Sequence, residues 1–290
     1  MISVLLAKIT KYTRWVLVGS LLVVISACSF KTLYNRMDYL IPSYVEGMVS
    51  LDDVLEEKLE QRTNLLLNWH RNTQLKQYAD LLRTFQQDLE SPLSEERVLQ
   101  HIDSMELLWR SLEVKLNQEM AGLLPLLDAD QREELFDSIE EKNQDFYDDH
   151  VDLDEDDRIE QYTDTMLDTY QNWLGDLTEQ QEQAIAEAAP RLTSSAALRL
   201  QQRKFWQHSI RKILDSAGDT ETRSEQLQQF FDGFNINDQP ELAGATAANK
   251  RVFASLTADI FQHLTLEQKA YFITRTNDYI TIFTELADNR

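Results

Sequence analysis

Apolar residues recur every three or four positions along most of this chain, which is the spacing of one face of an α-helix. The clearest example runs from Ser94 to Met120, and it predicts a helix whose apolar stripe faces a partner helix. The stripe consists of Val98, Ile102, Met105, Trp109, Leu112, Leu116 and Met120. We interpret it as a core face rather than as a cofactor-binding surface.

Comparable stripes predict the remaining helices. Ser50 is the expected N-cap of a helix that extends to about Trp69, and a separate stretch follows over residues 73–90. A short helix is expected within 29–49, and others at 128–150, 154–175, 178–189, 193–217, 219–233, 241–263 and 265–287. Only seven glycines and five prolines interrupt the 290 residues, which disfavours strands and long loops. The predicted fold is therefore all-α, a multi-helix bundle of about nine to ten amphipathic helices behind a signal peptide.

Three helix starts share one pattern, in which a leucine precedes a hydroxyl residue and an acidic first turn. They begin at Leu93, Leu177 and Leu264. Thr178 and Thr265 are each followed three positions later by glutamine, which makes a capping box. The sequence Leu-Thr-x-x-Gln also resembles the motif of small periplasmic helical chaperones of the Spy type. We interpret the repeats first as helix caps.

The amino terminus predicts an export signal with a lipid attachment site. Basic residues precede an apolar stretch of eleven residues, Trp15 to Ile25, which is too short to span a membrane. The run Ile25-Ser26-Ala27-Cys28 behind it resembles the lipobox of bacterial lipoproteins. That resemblance implies cleavage before Cys28 and acylation of its thiol, and several acyl chains would hold the protein at a membrane.

The residue after the cysteine indicates in which membrane the lipoprotein would be anchored. It is Ser29 rather than the aspartate that retains many enterobacterial lipoproteins at the inner membrane. By that analogy the anchored protein lies at the periplasmic face of the outer membrane. The predicted organisation is a signal peptide at 1–27, a lipidated juxtamembrane segment at 28–49 and a helical domain at 50–290. Possible sub-lobes within this domain are 50–176 and 177–290.

The mature chain is strongly acidic. Removing residues 1–27 takes away three of the 28 Lys and Arg residues and none of the 50 Asp and Glu residues, so 25 cations face 50 carboxylates. Phosphates are repelled by such a surface, which excludes nucleic acid as a partner. An unidentified envelope protein with a basic or apolar surface is the favoured partner. The alternative is that the acidity only maintains solubility.

The residue patterns for catalysis and metal binding are missing from the sequence. The five histidines lie far apart and form no His-x-x-x-His or Glu-x-x-His pair. Nucleophile-elbow and phosphate-loop motifs are absent as well. The acidic run at 148–157 does not fit an EF-hand, and we interpret it as a solvated loop, with a loose Ca²⁺ or Mg²⁺ site as the alternative. We therefore expect no enzyme, no cofactor and no metal centre.

Basic and aromatic residues on apolar stripes are the candidates for contact with a ligand or partner. The candidates are Arg199, Arg203, Trp206, Trp69 and Arg71. We expect Arg199 and Arg203 to lay their methylenes on the core and to pair with carboxylates of a neighbouring helix at 145–160. The alternative is that they face an internal pocket for an anionic ligand. For Trp69 and Arg71 the structural alternative is closure of a core.

Four short motifs give the chain a family resemblance. They are Tyr34-Asn35-x-x-Asp38-Tyr39, Trp69-His70-Arg71, Asn143-Gln144-Asp145-Phe146 and Trp173-Leu174-Gly175-Asp176-Leu177-Thr178. Together with the lipobox they make the chain similar to a family of uncharacterised proteobacterial lipoproteins. The resemblance implies a helical protein tethered to the outer membrane, and it implies no activity. Many relatives have a proline soon after their equivalent of Arg71, whereas Leu75-Lys76-Gln77 follow here, so a helix break near 72–74 stays open.

Two functional hypotheses follow from the sequence. The first is a lipid-anchored, non-catalytic protein that binds another envelope component as scaffold, adaptor or chaperone-like factor. The second is a ligand-binding module with an interhelical pocket for an anionic ligand near Arg199 and Arg203. An open apolar groove flanked by carboxylates would favour the first, and a closed cavity with both arginines unpaired would favour the second.

Overall fold

The computed structural model describes residues 27–233 and 239–288. Within these ranges the chain forms eleven α-helices and no strand, which confirms the all-α prediction. The helices are α1 (Ala27–Tyr34), α2 (Met37–Glu46), α3 (Asp53–Asp88), α4 (Glu95–Leu123), α5 (Ala129–Phe146), α6 (Glu155–Leu174), α7 (Glu179–Ala188), α8 (Ala196–Leu214), α9 (Thr220–Gly233), α10 (Pro240–Gln262) and α11 (Leu266–Asp288). A π-helical turn, Tyr147–Val151, follows α5. The predicted signal peptide, apart from Ala27, lies outside the described residues.

Helix α3 is continuous over 36 residues, so the predicted separation into two stretches near 72–74 is wrong. Leu75 is fully buried and packs with Ile282 and Leu286 of α11. These tertiary contacts continue through the expected break. Because no proline stands there to remove a backbone hydrogen bond, nothing in the backbone opposes a single long helix.

The N-cap of α3 is Asp52 rather than the predicted Ser50. One carboxylate oxygen of Asp52 accepts hydrogen bonds from the amides of Val54 and Leu55, at 3.0 and 2.9 Å. The amide and hydroxyl of Ser50 both donate instead to the carboxylate of Glu134 on α5, at 2.8 and 2.9 Å. The prediction was wrong because a long-range partner holds the serine outside the helix.

The two Leu-Thr-x-x-Gln helix starts are capping boxes, as predicted, and they also pack against each other. The hydroxyls of Thr178 and Thr265 accept from the amides of Gln181 and Gln268, at 3.3 and 3.1 Å. The two glutamines are 2% and 3% exposed and exchange hydrogen bonds through both side-chain amides, at 3.0 and 2.7 Å. Gln268 also donates to the carbonyl of Asp176 at 2.8 Å. The motif therefore builds a buried joint between α7 and α11, which we call the glutamine joint.

Two large clusters of buried side chains form most of the interior. The first surrounds Ile185 and draws residues from α4, α6, α7, α10 and α11, with Phe85 of α3 packed against it. The second surrounds Leu227 and draws residues from α4, α5, α8 and α9. Helix α4 connects the clusters, because Val98 near its start belongs to the first and Ala121 near its end belongs to the second.

The middle of α4 is not covered by either cluster. Met105 is 51% exposed, Trp109 60% and Leu116 42%. The prediction of a continuous core face from Val98 to Met120 is therefore wrong over this stretch. A cleft opens beside Met105 and Trp109.

Helices α1 and α2 lie on the body of the protein. The ammonium of Lys31 lies 2.7 Å from the carboxylate of Glu285 near the end of α11, and the rings of Phe30 and Phe283 are 5.7 Å apart. Helix α2 packs against α3. Within the described ranges no helix is long and apolar enough to cross a membrane.

Candidate binding cleft

A cleft of about 1220 Å³ opens between α3, α4, α6 and α10. Most of its wall is hydrocarbon and aromatic surface. The aromatic side chains in the wall are Tyr78, Phe85, Trp109, Phe146, Tyr162, Tyr170, Trp173, Phe253, Phe261 and Phe272. Inward-facing side chains of α3, α6 and α10 and the uncovered stretch of α4 form most of the wall, and Phe146, Arg199 and Phe272 add to it. A cleft of this kind is the usual form of a binding site in an uncharacterised protein.

The mouth of the cleft carries large apolar side chains that face solvent. Met105 and Trp109 stand on the α4 side, and Phe253, which is 38% exposed, stands on α10. The indole nitrogen of Trp109 donates to the carboxylate of Glu113 at 2.6 Å, so the ring has a defined position. Grouped exposed apolar side chains of this kind make the cleft a candidate site of interaction.

Most polar groups in the wall already bond to the protein. Gln161 donates to the carbonyl of Asp149 at 3.1 Å and contacts His150. The hydroxyls of Tyr170 and Thr257 lie 2.8 Å apart. The hydroxyl of Thr246 is an exception, since it is buried and bonds to no described residue. The wall therefore offers an occupant apolar contact and few directed hydrogen bonds.

Lys250 is the cation at the α4 edge of the cleft. Its ammonium lies 2.5 Å from the carboxylate of Asp103 and 2.7 Å from that of Glu106. Burial lowers the pKa of Lys250, but the hydrogen bonds from these two carboxylates outweigh burial, and the net shift of the pKa is upward. Two carboxylates against one ammonium leave this edge negative.

The α6 edge of the cleft is acidic as well. Asp164 and Asp168 are exposed. At 3.6 residues per turn both lie on the same flank of the stripe of wall residues that α6 presents from Gln161 to Trp173. Among the described residues, no Lys or Arg lies within ion-pair distance of Asp164 or Asp168. The cleft is thus an apolar surface with carboxylates along two of its edges.

The predicted pairing of Arg199 and Arg203 with carboxylates of 145–160 is wrong. Both side chains are exposed, and neither forms an ion pair with a carboxylate of the described residues. Arg199 lines the cleft and donates to the hydroxyl of Ser195 at 3.1 Å. The guanidinium of Arg203 lies 4.6 Å from the centre of the Phe146 ring, so an aromatic face occupies the place expected for a carboxylate.

Trp206 is separate from the cleft wall. Its ring packs 5.3 Å from that of Phe231 and 5.7 Å from that of Phe230, in the second buried cluster. Of the three candidates on α8, the structure brings only Arg199 to the cleft.

Trp69 and Arg71 belong to the attachment of α1 rather than to the cleft. The guanidinium of Arg71 lies 5.4 Å from the centre of the Tyr34 ring. Between them in sequence, His70 contacts the hydroxyl of Tyr34 at 2.8 Å, and the ring of Trp69 lies 6.4 Å from that of His70. Burial lowers the pKa of His70 to about 4 and raises the pKa of Tyr34 to about 12, so both side chains are neutral at pH 7.

Sequence reasoning missed the contribution of α10 to the cleft. Thr246, Asn249, Lys250, Phe253 and Thr257 all line the wall. Their three-and-four spacing was visible in the sequence, but it mixes polar and aromatic side chains and so resembles no standard motif. Within the described ranges, no three His, Cys, Asp or Glu side chains are grouped closely enough to hold a metal ion.

Comparison with known proteins gives a family and no activity. No curated protein and no solved structure matches the chain. A family model matches residues 48–231, which include α3 to α8 and most of α9, and with them the cleft residues of α3, α4 and α6. The match extends over more than half of the chain, and the protein belongs to this family of unknown function (DUF6279).

Proposed function

We propose that this protein is a lipid-anchored, non-catalytic component of the bacterial cell envelope, and that its cleft receives an amphipathic helix of a partner envelope protein. The observation that carries this proposal is the open apolar cleft with carboxylates on two edges. The role is that of an adaptor or chaperone-like factor.

The size and chemistry of the cleft support a helix as occupant. Its volume of about 1220 Å³ is larger than the roughly 300–1,000 Å³ of pockets for small molecules. An extended peptide would need partners for its backbone amides and carbonyls, and the wall offers few. A helix satisfies these groups internally and presents apolar side chains at positions i, i+3, i+4 and i+7 to a groove.

The charges at the edges support a cationic helix. Asp164 and Asp168 on one side and Asp103 and Glu106 on the other outnumber Lys250. The mature chain as a whole carries 25 basic against 50 acidic residues, and this field attracts cations over a longer range. Lysine or arginine along the flanks of the bound helix would meet these carboxylates.

The cleft is tested with a synthetic peptide of about 18 leucine and lysine residues that forms an amphipathic helix, with a scrambled peptide of the same composition as control. Fluorescence anisotropy of the labelled peptide is measured against the mature protein. We expect Phe253→Asp to abolish binding, because it places a charge in the apolar mouth. Phe205→Asp is the matched control, since Phe205 is exposed on α8 and lies outside the wall.

Equal binding of the scrambled peptide, or equal loss in both phenylalanine variants, would contradict a helix-binding cleft. Salt gives a further check. Affinity for the lysine-rich helix should decrease as ionic strength rises, because surface charge pairs are screened.

A second candidate function, an anionic amphiphile in the cleft, is favoured by Arg199. This guanidinium lines the wall and has no carboxylate partner among the described residues. A fluorescent long-chain fatty acid is the probe. Binding that is lost in Arg199→Gln, together with no binding of the helical peptide, would favour this function over the first.

The lipid anchor is supported by the lipobox resemblance at Cys28 and by Ser29 behind it. Cys28→Ala should release the protein from membranes without unfolding it, which fractionation and circular dichroism would measure. Persistence of the variant in the membrane fraction would defeat the anchor proposal.

A further inference from the structure

The first two helices present exposed apolar and aromatic side chains beside the proposed anchor. Leu33 is 37% exposed, Tyr39 69% and Tyr44 61%. Other side chains of the same helices hold them to the body. Lys31 pairs with Glu285, and Tyr34 is buried against α3 and α11. The exposed side chains are therefore displayed by a fixed surface rather than by a loose tether.

The proposed anchor would hold this surface next to a membrane. Helix α1 begins at Ala27, so Cys28 is already helical, and Leu33 lies five residues further along. At 1.5 Å per residue that is about 8 Å along the helix axis. Acyl chains on Cys28 would enter the bilayer directly beside α1, because no linker separates the cysteine from the folded body.

The chemistry of the surface fits the headgroup layer. Tyrosine has an apolar ring and a polar hydroxyl, and it is enriched where membranes meet water. The ammonium of Lys142 on α5 lies 5.1 Å from the centre of the Tyr44 ring, and Arg36 is exposed between α1 and α2. Lys142 and Arg36 can pair with lipid phosphates. The exposed carboxylates of α2 are Asp38 and Glu46.

We propose that the α1–α2 surface lies on the bilayer, with Tyr39 and Tyr44 at the level of the lipid headgroups, and that it sets the orientation of the body on the membrane. This inference rests on the lipid anchor of the proposed function and is independent of what occupies the cleft. We assign a lipid bilayer as the partner of the α1–α2 surface, because the proposed anchor holds this surface next to the membrane.

The experiment uses the full lipidated protein reconstituted in phosphatidylethanolamine–phosphatidylglycerol vesicles. Lipidation consumes the only cysteine of the chain, so an introduced cysteine is a unique labelling site. Tyr39→Cys and Tyr44→Cys each receive an environment-sensitive fluorophore. Leu266→Cys is the control, because Leu266 is 90% exposed at the opposite end of α11, about 28 Å along the axis from Glu285.

Labels at 39 and 44 should shift their emission to the blue and lose fluorescence to a lipid-borne quencher, while the label at 266 should do neither. If the protein sediments with the vesicles but all three labels show the emission of an aqueous environment, the surface proposal is contradicted and the anchor proposal is not. Failure to sediment with vesicles would overturn both. Protection at 39 and 44 that arises only in native membranes would assign the surface to a protein partner and overturn the lipid assignment. Circular dichroism verifies that each variant is folded.

Discussion

The glutamine joint buries polar side chains, whereas the cleft exposes apolar side chains. At the joint, two polar amides are buried, and the side-chain oxygen and nitrogen of both Gln181 and Gln268 have hydrogen-bond partners. At the cleft, large apolar side chains such as Trp109 stay in water. Burying unpaired polar groups and exposing apolar groups both cost free energy, and only the joint avoids its cost. The joint therefore contributes to stability, and the exposed wall of the cleft is the surface for which we propose binding.

The difference arises from how each region is enclosed. The joint forms where two helix hairpins, α6–α7 and α10–α11, meet through the same short motif, so each motif covers the other. The cleft forms beside a helix whose two ends belong to different buried clusters. Nothing in the described chain covers the stretch between them.

The largest expected loss of stability comes from a substitution in the enclosed core, and a substitution in the wall of the cleft is compared with it. Ile185→Ala should lower the free energy of unfolding by about 3 kcal/mol, because Ile185 is fully buried next to the joint. Met105→Ala in the mouth of the cleft should change it by less than about 0.5 kcal/mol. Urea denaturation of both variants makes the comparison. Similar losses in the two would mean that the cleft is covered in solution.

Gln268→Ala tests whether the joint acts as a unit. It leaves the amide of Gln181, the backbone amide of Thr265 and the carbonyl of Asp176 without their partners, so we expect a loss of about 2 kcal/mol. In the Gln268→Ala background, Gln181→Ala should lower the free energy of unfolding much less than it does in the wild type, because the two residues share one hydrogen-bond network. Additive losses in a double-mutant cycle would show that the glutamines act independently.

A pH titration tests a second buried polar cluster, the one that attaches α1. His70 is neutral in the folded protein, with a pKa of about 4 against 6.5 for the ordinary side chain. Unfolding therefore takes up a proton between these values, and stability falls as pH drops from 6.5 to 4. The loss should be about 2 kcal/mol once solvent exposure of part of the ring is considered. Carboxylates contribute in the same direction, so the measured quantity is the difference between wild type and His70→Gln. Parallel pH profiles would contradict the buried neutral histidine.

A small effect on stability is also expected at Arg203. An ion-paired, partly buried arginine would cost about 1–3 kcal/mol on replacement by methionine. Here the guanidinium is exposed over the Phe146 ring, so Arg203→Met should change stability by less than about 1 kcal/mol. A calorimetric melt measures it. A loss well above that value would indicate a carboxylate partner in solution.

Local patterns predicted the elements well where the cause was local. Thr178 and Thr265 cap their helices as expected, since a capping box needs only residues three positions apart. Predictions that needed a distant partner were wrong. Ser50 is held by Glu134 on another helix, and Arg203 faces an aromatic ring. Neither partner is visible from the sequence around the residue.

The sequence by itself determined that the chain is helical, where most helices begin, and which side of each is apolar, because these properties depend on residues within one or two turns. Periodicity says that a face is apolar and does not say what will cover it. The stripe on α4 shows this, with Val98 buried and Trp109 exposed in the same register. Only the tertiary structure decided which part of that stripe became core and which became the wall of a cleft, because coverage depends on helices that are distant in the chain.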